Sequence, residues 1–184
     1  MKNGVFRSEV VNLGEQYSLQ PVSRRHADAC FSSCQDPEIH RWLPLPQPYT
    51  RAFAEDWCGH AAEGFRAAGL GIHFAICDGD EMVGCISFKN VRWKEDVVEI
   101  GYWLDPSARG RGLATRAVSA LANVAFAEGF QRVEMRIAEG NERSIAVAER
   151  AGFVYEGLLR MGGIIHGGRV DLRMYSLLMS DVFR

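Results

Sequence analysis

The segment Arg109-Gly110-Arg111-Gly112-Leu113-Ala114 constrains this chain more than any other, because of what flanks it. Residues 97–104 ahead of it alternate in strand fashion, and residues 115–128 behind it carry the spacing of an amphipathic helix. A glycine-rich turn that leaves a strand and opens a helix gathers free backbone N–H groups at the positive end of the helix dipole. Such a turn is an anion site. Glycine at 110 and 112 lets the backbone approach a phosphate closely. Arg109 and Arg111 are expected to add full charges.

The rest of the chain places this turn late in a mixed α/β order. A short extended segment is expected at 17–20, then a helix over 24–34 capped by Ser23, interrupted by Asp36 and Pro37. Residues 40–50, with Pro44, Pro46, Pro48 and Tyr49, read as a loop, since proline removes a backbone donor and fixes φ. Thr50 caps a second expected helix to about residue 68. A hairpin follows, 72–77 and 82–90, turned at 78–81. After strand 97–104, the turn and its helix come a strand at 132–137, a short helix at 141–150 ended by Gly152, and strands at 153–159 and 170–178. Leu113, Ala117, Leu121, Val124 and Ala125 give the helix after the turn one buried face. The expected fold class is α/β, a single domain over 1–184 with one central, mostly antiparallel mixed sheet flanked by helices.

Composition narrows the function. A formal net charge of -2 argues against a nucleic-acid binder, which carries a basic excess. No apolar run reaches the roughly 20 residues that span a bilayer, and residues 1–10 lack the apolar centre of a signal peptide. The expectation is a cytoplasmic protein with no membrane or nucleic-acid partner. Cys30, Cys34, Cys58, Cys77 and Cys85 are odd in number and scattered, so they suggest neither a disulfide framework nor a zinc site. The histidines are equally dispersed, and no metal is expected. A dinucleotide site is excluded by the glycine spacing and by three antiparallel-looking strands ahead of the turn.

With these segments in order, the chain resembles the GNAT superfamily of acetyl-CoA-dependent N-acetyltransferases. The run 109–114 matches the family's Gln/Arg-x-x-Gly-x-Gly/Ala loop, with Ala114 in the last place. Asn141-Glu142-Arg143-Ser144, then Ala151-Gly152-Phe153 and Glu156-Gly157, and the final Tyr175-Ser176-Leu177 follow in sequence. With Trp42-Leu43-Pro44 they are similar to the RimJ/RimL-type branch, which acetylates protein N-terminal amines. The resemblance implies that acetyl-CoA is the cosubstrate and that its pyrophosphate lies on the amides of Arg109, Gly110, Arg111, Gly112, Leu113, Ala114 and Thr115. It also implies that strand 97–104 parts from strand 132–137, so that the pantetheine arm pairs with backbone near Trp103 and Leu104. A backbone N–H near Tyr102 or Trp103 would then stabilise the thioester oxyanion.

The implied reaction is direct attack by a neutral amine. Ser144 matches a serine that protonates the leaving thiolate in RimL-like relatives; the rival reading makes it a first-turn helix residue with Asn141 as N-cap. Asn141 also matches a residue beside the pantetheine. Glu99 stands where many GNAT members keep a glutamate, and shares a strand face with Gly101 and Trp103. It is expected either to take the amine proton through water or to lie on a solvated face. A carboxylate implicated as base in RimL falls at Gly163, which leaves Glu156, His166 and Asp171 as alternatives. Trp42, Tyr49 and Trp57 are candidates to line the acceptor pocket, and Arg41 and Arg51 to meet an acidic acceptor. A free α-amine, with pKa about 7.7–8.0, is appreciably neutral near pH 7.5, whereas a lysine amine at about 10.4 is not. This favours an α-amine over a lysine, and the acceptor that the resemblance implies is a protein or peptide α-amine. A small-molecule amine, or coenzyme binding without catalysis, are the alternatives. Relatives that dimerise add a homodimer to the expectations.

Overall fold

The alternation at 72–104 becomes three consecutive antiparallel strands, and the remainder of the fold is built on that meander. The structure, a computed structural model, describes residues 4–182. The chain opens with a hairpin of β1 (Val11–Gly14) and β2 (Tyr17–Pro21). Only β2 was legible, because β1 is a four-residue edge strand whose side chains are half-buried or exposed. Ser23 stands at the head of a 3-10 turn, Arg24–His26, and its N–H donates to His26 Nδ1 at 3.0 Å. Helix α1 (Ala27–Ser33) continues from that turn.

Asp36 and Pro37 start a helix where an interruption was expected. The Asp36 carboxylate accepts from the N–H of Glu38 (2.6 Å) and of Ile39 (3.3 Å), and Pro37 takes the first position of α2 (Pro37–Trp42). The proline-rich loop is therefore shorter than the sequence suggested. Thr50 Oγ1 accepts from Phe53 N–H at 3.2 Å and caps α3 (Arg51–Asp56), which runs through a π-helical stretch, Trp57–Ala61, into α4 (Ala62–Ala67). Gly71 then brings the chain against Phe88, where a Cβ would lie 2.0 Å from the carbonyl oxygen.

The meander is β3 (Ile72–Asp78), β4 (Glu81–Arg92) and β5 (Val97–Leu104). Helix α5 (Leu113–Ala127) crosses to β6 (Arg132–Ala138), and α6 (Glu142–Arg150) leads to β7 (Val154–Ile165), β8 (Gly168–Leu178) and a last turn, α7 (Met179–Val182). The order across the sheet is β1-β2-β3-β4-β5-β6-β8-β7, and only β5 and β6 run parallel, as a helical crossover requires. The closing hairpin is longer than expected on both strands. Gly162, Gly163, Gly167 and Gly168 weaken its strand signal, and its register shifts between Leu159 and Gly163.

Each face of the sheet carries its own core. Ala117, Val118, Leu121, Ala122, Ala125 and Phe126 of α5 are buried against Val98, Ile100 and Val133. Each large side chain there contributes on the order of 1.5–3 kcal/mol. On the opposite face, α1, α3 and the π-helical stretch pack Cys30, Cys34, Ala54 and Cys58 on Ala75, Cys77 and Cys85. All five cysteines are free and buried there, and burial pushes the Cys77 thiol up to about 11. Among the described residues, no helix is long and apolar enough to cross a membrane, and no group of three or more His, Cys, Asp or Glu is placed to hold a metal ion.

Candidate active site

The parallel ladder between β5 and β6 has three rungs, Val97↔Arg132, Val98↔Val133 and Glu99↔Glu134, and then stops. Beyond it β5 continues to Leu104 paired only with β4, and β6 continues to Ala138 paired only with β8. The facing edges at 100–104 and 135–138 are thus open to each other. They bound a cleft of about 1140 Å³. Its walls include Trp103 and Leu104 from β5, Arg136 and Ile137 from β6, Trp42 from α2, and Gly163 and Ile165 from the closing hairpin. Backbone groups on a parted strand edge lack ladder partners, so a ligand amide inserted there can satisfy them.

One end of the cleft is the turn before α5. Gly110 and Gly112 have φ of +78° and +73°, conformations that glycine adopts without strain. A Cβ at either position would meet nothing within 4 Å, so both face open space. Gly112 is the N-cap of α5, and no side chain caps the helix. The first intrahelical bond runs from Arg116 N–H to the Gly112 carbonyl at 3.1 Å. The N–H groups of Leu113, Ala114 and Thr115 therefore have no intrahelical acceptor. These three residues line the cleft with Arg109, Gly110 and Gly112.

The two arginines of the turn do something other than expected. Arg109 donates from Nε (3.1 Å) and Nη2 (2.9 Å) to the Leu104 carbonyl, and Nη2 also pairs with Asp36 Oδ2 at 2.9 Å. Its guanidinium ties the turn to the end of β5 and to the cap of α2, and its charge is met by Asp36. Arg111 is exposed and lies outside the cleft lining. The unpaired donors of the turn are the backbone N–H groups at the start of α5.

At the far wall, the Asn141 side chain accepts from Ser144 N–H at 3.2 Å and caps α6, as its sequence position suggested. Asn141 and Ser144 both line the cleft. Facing them is Tyr102, which entered the sequence reading only through its backbone. Burial pushes the Tyr102 phenol above its ordinary value, and a hydrogen bond with Ser144 works against that shift. The available signal was a phenol in the apolar row of Val98, Ile100 and Leu104.

Glu99 is not on a solvated face: it is 2% exposed, though it lines the cleft. Its oxygens take Lys89 Nζ at 3.1 Å, Asn90 Nδ2 at 2.8 Å and, more distantly, Arg136 Nε at 3.4 Å. Gly101 makes room for this, since a Cβ there would lie 2.8 Å from Lys89 Cε. Glu99, Lys89, Asn90 and Arg136 form the floor of the cleft where the strands part. The alternative bases are placed elsewhere. Glu156 is held at about 2 by Arg132 and receives the Ser176 hydroxyl at 2.7 Å. Asp171 accepts from Met161 N–H at 2.7 Å, and His166 packs against His40 with ring centroids 5.9 Å apart.

Of the aromatic candidates, Trp42 lines the cleft, whereas Tyr49 is buried in the second core beside Cys30 and Trp57 packs on His73. Arg41 pairs with Glu38 and lies over the Trp42 ring, and Arg51 pairs with Asp28; both are exposed and neither lines the cleft.

The sequence profile of the acetyltransferase (GNAT) domain family matches residues 17–154. Two curated relatives align over part of their length. YdaF of Bacillus subtilis (strain 168), provisionally named a ribosomal N-acetyltransferase, is 39% identical over 112 residues, 60% of this chain and 61% of that one. The ribosomal-protein-serine acetyltransferase of Escherichia coli (strain K12) is 33% identical over 109 residues, 59% of this chain and 61% of that one. Among solved structures, RimL, a ribosomal L7/L12 alpha-N-protein acetyltransferase in complex with coenzyme A, superposes with a TM-score of 0.85. It is 24% identical and covers 92% of this chain and 98% of its own, a likeness of fold.

Proposed function

This chain belongs to the acetyltransferase (GNAT) family, and from that premise we propose that it transfers the acetyl group of acetyl-CoA to a primary amine, the N-terminal α-amine of a protein or peptide. One catalytic domain over 1–184, acting in the cytoplasm, is the corresponding assignment. The observation that carries the proposal is the cleft between β5 and β6, with the uncapped start of α5 at one end. The fit to acetyl-CoA is chemical. Unpaired N–H groups of Leu113, Ala114 and Thr115 suit a pyrophosphate. The open edge at Trp103 and Leu104 suits the amides of a pantetheine arm.

Direct transfer needs four things from the protein. The thioester must be held and polarised, which a β5 backbone N–H near Tyr102 or Trp103 does by donating to the developing oxyanion. The leaving thiolate needs a proton. Ser144 supplies it, with Tyr102 behind it; a phenol held above its ordinary pKa stays protonated through the neutral range and remains a donor. The amine must lose a proton, and Glu99 takes it through water, held in place by Lys89 and Asn90. The amine must also arrive neutral, which an α-amine does without help near pH 7.5.

The test is a panel of acceptors with acetyl-CoA, read as free thiol release. Turnover of peptides with free N-termini, absent when the terminus is blocked, is the expected result. Turnover confined to small-molecule amines would move the acceptor assignment, and coenzyme binding without turnover on any amine would overturn catalysis.

A further inference from the structure

The charges at the floor of the cleft balance one another. Lys89 and Arg136 stand against Glu99 and Glu134, and Arg92 and Arg132 are shared with Glu95 and Glu156. The walls above that floor are apolar. Ile39, Trp42 and Leu43 line the cleft from α2 and its end, and Ile164, Val170 and Leu172 line it from the closing hairpin. These side chains belong to neither hydrophobic core. Ile164 is 61% exposed and Trp42 is half-buried. The two walls approach each other at the rings of His40 and His166. Strand register fixes the side of the sheet they occupy. Leu172 stands opposite Ala138, and Ser176 opposite Glu134. Paired residues point to one face and alternate residues share it, so Val170 and Leu172 lie on the face of Glu134 and Glu99. Helix α5 packs on the other face, with Val98 and Val133. Helix α2 runs across the mouth of the cleft: its Asp36 cap pairs with Arg109 of the turn, and a Cβ at Gly140, after β6, would lie 4.0 Å from Trp42 Cη2.

We propose that these walls hold the side chain of the acceptor's first residue, so that the preferred substrate is an α-amine whose own carbon carries a large apolar group. The inference rests on the acetyltransferase reading and deepens it. In that reading the amine gives its proton toward Glu99, and the apolar walls rise from the same face of the sheet. An amine directed to the floor therefore turns its substituent to the walls. Apolar walls favour an apolar side chain in proportion to the area it buries. A polar side chain of the same shape gives up its hydrogen bonds to water and gains none from these walls. At about 1140 Å³ the cleft exceeds the roughly 300–1,000 Å³ of an ordinary ligand site, which leaves room for a donor arm and an acceptor side chain together. A peptide N-terminus and a free amino amide share the necessary chemistry. Trp42 and Ile164 are specificity residues here; they hold the acceptor and take no part in proton transfer.

The experiment compares acceptors matched in shape and different in polarity: peptides beginning with Leu against Asn and with Val against Thr, and the corresponding free amino amides. With the wild-type protein, kcat/KM is expected to be about 10- to 100-fold higher for the apolar member of each pair. Ile164→Ser and Trp42→Ala should each cut that ratio at least threefold, and Trp42→Phe should restore part of it. Ile164→Ser, an exchange at an exposed position, should keep a cooperative melting curve and an unchanged affinity for acetyl-CoA. The same preference in peptides and amino amides supports the inference, and a preference seen only with amino amides supports it and assigns the acceptor to a small molecule. Equal rates within each pair, or a preference for the polar member, overturn it while leaving the acetyltransferase reading intact. So does an apolar preference that survives undiminished in both Ile164→Ser and Trp42→Ala. Absence of turnover on every amine removes the enzyme reading itself, and the inference falls with it.

Discussion

Glu99 and Glu134 stand directly opposite each other on the last rung of the β5–β6 ladder, 2% and 4% exposed. Like charges in that position repel. They are tolerated because the surrounding strands deliver cations. Lys89 reaches Glu99, Arg92 and Arg132 reach Glu134, and Arg136 lies between the two. Burial alone would raise the Glu134 pKa, but hydrogen bonds from Arg132 and Arg92 outweigh it and hold the group below its ordinary value. The rung that ends the ladder is thus also the point where charge collects at the base of the cleft.

Arg132→Gln should destabilise the fold by on the order of 3 kcal/mol, because it leaves a buried carboxylate short of a partner. It also frees Glu156, which Arg132 and Ser176 hold at about 2. A depressed folded-state pKa adds stability that is present above the unfolded value near 4.5 and disappears as pH falls toward 2. The variant should therefore unfold in acid at a higher pH than the wild type. Denaturant titrations at pH 7 and between pH 5 and 2 give both quantities. A loss at pH 7 below about 0.5 kcal/mol, the range of ordinary surface changes, contradicts the network.

His73 should set a second acid limb. Burial, aided by the charge of Lys89, lowers it to about 4, and its Nδ1 lies 2.6 Å from Ser87 Oγ. Between pH 6.5 and 4 the unfolded chain binds a proton that the folded one refuses, so stability falls with pH across that window. The span corresponds to at most about 3 kcal/mol. His73→Gln should flatten the slope of unfolding free energy between pH 6.5 and 4, and an unchanged slope would assign the limb to other groups.

Gly112→Val tests the donor end. The new Cβ has space, so the fold bears only a left-handed backbone strain of about 1–2 kcal/mol. The branched side chain would project into the approach of a pyrophosphate. Calorimetry should show coenzyme affinity falling at least tenfold with the melting curve still cooperative. Retained affinity would refute the turn as the binding site.

Ser144→Ala and Tyr102→Phe test the proton path. If the two hydroxyls act in series, each variant lowers kcat by about 10- to 100-fold with little change in coenzyme affinity. The double variant should then fall no further than the worse single one. Additive losses would show that the two act separately, and an unaltered kcat in Ser144→Ala would remove serine from the step.

Local signals carried the sequence reading where it succeeded. β5 was bounded to the residue at 97–104, the Thr50 cap starts α3, and Asn141 caps α6. The open strand pair was expected from the family resemblance, and the ladder stops where that requires. What failed depends on distance along the chain. Arg109 looked like a phosphate ligand because nothing nearby reveals that Asp36 meets it. Glu99 gave no sign of Arg136, since strand register across β5 and β6 is a tertiary outcome. The Tyr102 side chain was missed because alternation assigns a face and is silent on where the face opens. The glycines of the closing hairpin hid the turn-side ends of both strands, 160–165 and 168–169.

The parted edges of β5 and β6 leave a bill of polar groups that the polypeptide alone does not settle. A molecule bound there joins the sheet as if it were a further segment of chain, and it favours the folded state by mass action. At one hundred times its dissociation constant the gain is about 2.7 kcal/mol, a substantial fraction of what holds a domain of this size together. The folded population at a given denaturant concentration would then rise with the concentration of the bound molecule.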